Sequence, residues 1–85
     1  MEKSEIFNIV KKDLIHKYNL NETKFDYNTN IQNEVLVDSL GIVELSIYIE
    51  ELFDIIVSDD ELFNCKNVQD MINLIYKEME KNNGK

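Results

Sequence analysis

The 85-residue chain has no proline, no arginine and no tryptophan, and it has one cysteine, one histidine and two glycines. Each scarcity excludes something. A single thiol, Cys65, cannot close an internal disulfide, and no metal-ligand companions stand near it. The lone histidine, His16, has no nucleophile or acid marked beside it, so a serine–histidine–acid catalyst has no parts to work with. With glycine only at 41 and 84, a hairpin-rich β fold lacks the residues its tight turns need. No apolar run approaches membrane-spanning length. The opening MEKSEIFNIVKK lacks the basic region and apolar stretch of a secretory signal. These features lead us to expect a cytoplasmic monomer folded as one domain over residues 1–85.

Basic residues are also missing from one long interval. Between Lys24 and Lys66 there is none, while ten of the seventeen acidic residues fall there: Asp26, Glu34, Asp38, Glu44, Glu50, Glu51, Asp54, Asp59, Asp60 and Glu61. The formal net charge is −8. Such a field repels nucleic acid and anionic lipid and speeds encounter with basic protein surfaces.

What is present is helical periodicity. Ile6, Phe7, Ile9, Val10, Leu14 and Tyr18 predict a first helix from Ser4, as its cap, to Tyr18. NLNETKFDYNTNIQNEVLV, residues 19–37, is rich in cap and turn formers and reads as a long ordered loop anchored by Phe25, Tyr27, Ile31, Val35 and Leu36. A second helix is expected over Ser39–Phe53, capped by Asp38 or Ser39. Its core stripe is read as Leu45, Tyr48, Ile49, Leu52, Phe53 and Ile56. Leu40, Val43 and Ile47 form a second apolar row outside that stripe, flanked by Glu44, Glu50 and Glu51. Leu40 is expected under the long loop, and Val43 and Ile47 against a partner. SDDELF predicts a short third helix with Ser58 as cap. Asn67 caps a last helix whose inner face is Val68, Met71, Ile72, Ile75 and Met79, and the tail NNGK is expected to fray.

Ser39 stands where this acidic helix begins. It lies in no Gly-x-Ser-x-Gly elbow, and SLGIVE is no phosphate-cradling glycine loop. The carboxylates spell no calcium loop. Ser39 therefore makes sense as a residue acted upon. A phosphate ester at a helix start is favoured by the free N–H groups and the helix dipole.

VDSLGIVELSIYIEELFDIIVSDDELFNCKNVQDMINLI resembles the carrier-protein family: acyl carrier proteins, peptidyl carrier domains and D-alanyl carrier proteins. The resemblance rests on Asp38-Ser39-Leu40, then Val43-Glu44-Leu45, then Glu50-Glu51-Leu52-Phe53-Asp54, and covers residues 25–81. It implies an all-α fold: a four-helix bundle with one short helix and a long loop between helices one and two. It implies a carrier, not an enzyme, with 4′-phosphopantetheine from coenzyme A attached to Ser39 between Asp38 and Leu40. The arm's thiol would hold acyl or aminoacyl groups as thioesters, and Cys65 would be a small semi-buried bystander. The implied partners are a phosphopantetheinyl transferase and acyl- or aminoacyl-activating and transferring enzymes with basic docking surfaces. These would read Val43, Glu44, Ile47, Glu50 and Glu51. Gly41, Val37, Ser58 and the apolar Ile55-Ile56 depart from the fatty-acid carriers and lean toward a dedicated peptide, polyketide or D-alanyl pathway. A fatty-acid carrier is the alternative. Composition and periodicity alone also leave open an unmodified acidic interaction module.

Overall fold

A computed structural model describes residues 1–34 and 39–83. Its helices are α1 (Lys3–Tyr18), α2 (Ser39–Phe53), α3 (Asp59–Phe63) and α4 (Val68–Asn83). A 3₁₀ turn (Glu22–Lys24) and a single helical turn (Ile31–Glu34) lie in the α1–α2 connection. Among the described residues the only β pairing is one isolated bridge, Asn30 with Asn67. The fold is the expected all-α bundle with one short helix and a long first connection.

α1 is capped two residues earlier than Ser4. Glu2 is the cap, and its N–H donates to the Glu5 carboxylate at 3.0 Å. This satisfies one of the donors that a helix start leaves open. Ile6, Val10 and Leu14, four apart, are buried. At the other end Asn19 takes the left-handed conformation (φ 54°) and donates to the Ile15 carbonyl. Asparagine tolerates that conformation better than most residues, so the helix stops there.

The connection is ordered by its own polar side chains and by three apolar anchors. Asn21 Oδ1 accepts from the Thr23 N–H at 3.0 Å, and Thr29 Oγ1 accepts from the Asp26 N–H at 2.8 Å. Phe25 and Ile31 are buried, and Tyr27 stacks on Phe7 with ring centroids 4.1 Å apart. The backbone then ties itself to the start of α4. Ile31 N–H donates to Lys66, while Val68 and Gln69 donate to the carbonyls of Thr29 and Tyr27 at 3.0 and 2.9 Å. Donors at a helix start with no partner of their own are met by a loop lacking one for its carbonyls. The other two anchors expected here, Val35 and Leu36, lie outside the described residues.

α4 supplies the floor of the core. Val68, Met71, Ile72 and Ile75 are fully buried on one face, each contributing about 1.5–3 kcal/mol by leaving water. Asn67 caps the helix as expected, its Oδ1 accepting from the Asp70 N–H at 2.9 Å. The helix runs through Asn82 and Asn83, which were expected to fray. α4 packs on α1 and α3, and α3 packs on α2.

Candidate prosthetic-group site and docking face

The backbone of α2 becomes helical at Ser39, as expected, and stays so to Phe53. Asp38 lies outside the described residues. The helix buries Leu45, Ile49 and Phe53 as expected and half-buries Tyr48, but its stripe also takes in Ile42 and Ser46 and leaves out Leu52 and Ile56. Ile42, Leu45, Ser46, Ile49 and Phe53 are buried. Leu52 is 40 % exposed and Ile56 81 % exposed, so neither belongs to the core. Leu52 stands seven residues beyond Leu45, in the last turn of the helix. Ile56 follows the helix outside regular secondary structure, and its side chain is exposed between buried Ile55 and Val57.

The opposite face carries the row Leu40, Val43 and Ile47, all exposed. At about 100° per residue these three fall within roughly 60° of one another. Leu40 is not tucked under the connection; it is 65 % exposed. Glu44 and Glu51 are exposed beside the row. Glu50 is half-buried, and its Oε2 accepts from the Val57 N–H at 3.2 Å. Sequence pattern does not reveal that bond, because the partner is a backbone group past the helix end. The turn before it is made at Asp54, in the left-handed region at φ 54°.

The first turn of α2 contains no acidic residue of its own, so no carboxylate within that turn opposes the positive end of the helix dipole. Leu40, next to Ser39 in sequence, and Val43, four residues on, are both exposed. These features fit a phosphodiester at the start of the helix.

The α1 side of α2 is a polar seam. The Tyr48 hydroxyl is hydrogen-bonded to Asp13, and burial together with that carboxylate pushes its pKa up to about 12. Lys17 Nζ lies 5.1 Å from the Tyr48 ring centroid. Burial, then the charge of Glu44, raises the Tyr18 pKa. The Tyr18 oxygen is buried with no hydrogen-bond partner among the described residues. His16 is exposed near the end of α1. The Cys65 thiol is buried, with Sγ 3.6 Å from the Glu61 carbonyl. Burial first, then Asp70 and Glu61, pushes its pKa up to about 11, the opposite of a reactive thiol.

The family described as "Phosphopantetheine attachment site" matches residues 10–75. The chain belongs to that family. It is also similar to proteins named Acyl carrier protein. The one from Lactobacillus acidophilus is 31% identical over 75 residues, 88% of this chain and 94% of that one. The one from Trieres chinensis is 36% identical over 78 residues, 92% of each chain. The one from Coprothermobacter proteolyticus is 29% identical over 75 residues, 88% of this chain and 92% of that one. The chain is thus a carrier protein, not an enzyme, and its prosthetic group is a 4′-phosphopantetheine joined covalently to a serine. Carriers of this kind meet a phosphopantetheinyl transferase and acyl-handling enzymes. No helix among the described residues is long and apolar enough to cross a membrane.

Proposed function

We propose that Ser39 is the serine that carries the prosthetic group. We propose further that the protein is the single-domain carrier of a dedicated pathway handling an aminoacyl or specialised acyl group. One observation carries the site. Of the three serines within the matched residues 10–75, Ser46 is buried in α2. The Ser58 hydroxyl is taken up at the start of α3, accepting from the Glu61 N–H at 3.1 Å and donating to Glu61 Oε1 at 3.0 Å. Ser39 is left, at the start of a long helix.

The group would supply a thiol at the end of a long arm. This chain's residues would do the rest: the first turn of α2 meets the phosphodiester, and Asp38 and Leu40 flank it. Val43, Glu44, Ile47, Glu50 and Glu51 would be read by basic partner surfaces. Gly41, Val37 and the Ile55-Ile56 pair support the dedicated pathway. The name Acyl carrier protein, shared by the relatives above, favours a second reading, the fatty-acid carrier.

The test is a mass measurement. Apo protein incubated with coenzyme A, magnesium and a broad-specificity transferase should gain one phosphopantetheine, and Ser39→Ala should gain none. An unchanged wild-type mass, or a gain that survives the substitution, removes Ser39 from this role.

A further inference from the structure

Tyr18 closes α1 with its hydroxyl oxygen buried and without a hydrogen-bond partner among the described residues. A buried hydroxyl normally has one, because it leaves water at a cost that only a new bond offsets. The ring needs no such explanation, since it packs against the core. Few groups stand near the oxygen. On α2, Tyr48 faces Asp13 and Lys17 of α1, and its own hydroxyl proton is committed to Asp13. Glu44 precedes Tyr48 by four residues, one helical turn nearer Ser39 on the same side of α2. Burial first, and then the charge of Glu44, raises the Tyr18 pKa, so that carboxylate lies close to the hydroxyl. Glu44 is exposed, and no lysine among the described residues is paired with it.

We propose that Tyr18 is a positioning residue for Glu44: its hydroxyl donates to the carboxylate and holds it at the α1 edge of α2, ready for a basic partner. This rests on the reading of Glu44 as a partner-recognition residue and deepens it, because Tyr18 acts through Glu44 from a different helix. The bond closes by a rotamer change at an exposed side chain, which requires no repacking. It is charge-assisted, the stronger class of hydrogen bond, and it gives the buried hydroxyl its partner. A carboxylate has about four acceptor positions, so accepting from Tyr18 leaves others for a partner's lysine or arginine. A side chain already held in place loses less freedom on docking, and that gain appears as affinity.

Two measurements test this. In proton NMR of the cold apo protein, the Tyr18 hydroxyl proton should be protected from exchange and show cross-relaxation to the Glu44 Hγ protons. Glu44→Ala should abolish the signal, and Glu51→Ala should keep it. The second measurement is loading by a broad-specificity transferase with the carrier concentration varied. Tyr18→Phe keeps the ring and removes the hydroxyl. Its KM should rise about threefold at unchanged kcat, the effect of leaving one side chain to be ordered on docking. The same substitution in a Glu44→Ala background should leave KM where Glu44→Ala puts it, which a merely structural role for Tyr18 would not produce. No protected proton in the wild type, a proton that survives Glu44→Ala, or an equal KM change in both backgrounds overturns the inference. The NMR signal does not depend on Ser39. A wild type that takes up no phosphopantetheine therefore counts against the carrier reading, and a missing Tyr18–Glu44 signal counts against this inference alone.

Discussion

Glu50 and Val57 are joined across the end of α2: the carboxylate of one accepts the backbone N–H of the other at 3.2 Å. The bond is partly buried and fixes where the chain turns back. Removing an ionised partner from such a bond costs about 1.5–3 kcal/mol. Glu50→Ala should lower the urea midpoint accordingly, while Glu51→Ala, at an exposed position, should stay within about 0.5 kcal/mol of wild type. Equal midpoints for the two variants would mean that the bond contributes nothing.

Phe53 is buried and Leu52, its neighbour, is 40 % exposed. Truncating a buried phenylalanine to alanine costs about 3–5 kcal/mol, and a small domain has as little as about 5 kcal/mol in total. Phe53→Ala should be largely unfolded at room temperature by far-ultraviolet circular dichroism. Leu52→Ala should keep the native spectrum and lose little thermal stability. The reverse order would place the core on the other side of α2.

The contrast between those two residues also marks what the sequence could tell. Helix positions were legible because they depend on local chemistry: Ser58 and Asn67 cap the helices predicted from them, and Ser39 and Phe53 bound α2 as expected. The inner face of α4 was legible because its spacing leaves one apolar side. α2 is apolar nearly all round, so periodicity could not choose a stripe. Ile42, four residues from Ser46 and seven from Ile49, was the overlooked signal for the buried one. Glu2 was missed as a cap because Ser4 is the commoner type, and the Glu50–Val57 bond because it joins a side chain to a backbone group seven residues on. The helix that begins at Ser39 was foreseen from local pattern; how its buried side meets α3 depends on tertiary packing.

Cys65 should be nearly inert. Its thiol is buried and its pKa is pushed up to about 11 from 9.0. Apo protein should therefore react slowly with a thiol-disulfide reagent at pH 8, and loading should add one fast thiol, that of the arm. Stability follows the same shift. Below pH 9 both states hold the proton; as pH rises toward 11 the unfolded chain releases it and the folded one does not, so stability falls through that interval. Cys65→Ser should flatten the fall. Rapid modification of the apo protein would show that the thiol is accessible.

Glu44 is exposed beside the row on α2 and next to the Tyr18 seam. Reversing its charge removes attraction for a basic partner and adds repulsion. Glu44→Lys should slow coenzyme A-dependent loading and make the rate less sensitive to salt. Folding should change within about 0.5 kcal/mol, because the site is exposed. Loading kinetics that match wild type at every ionic strength would put the electrostatic contact elsewhere on the protein.

The two candidate pathways differ in what the interior must admit. A fatty-acid carrier hides a growing chain among its helices, whereas a carrier of small polar cargo has no such need. Leu45, Ile49, Leu62, Met71, Ile72 and Ile75 are buried together in the core, and all but Ile49 are fully covered. Leu52, expected to help fill this interior, stands at the surface and Tyr48 is half-buried, so these six and Phe53 close the core. Opening a close-packed core forces side chains off their rotamers and costs about 1–3 kcal/mol. Loading the phosphopantetheine form with medium-chain acyl groups should therefore shift the resonances of Leu45, Ile49, Ile72 and Ile75 little, because the chain stays outside. Shifts at those four that grow with chain length would put the chain inside, and efficient elongation by fatty-acid synthase enzymes would then assign the protein to fatty-acid synthesis.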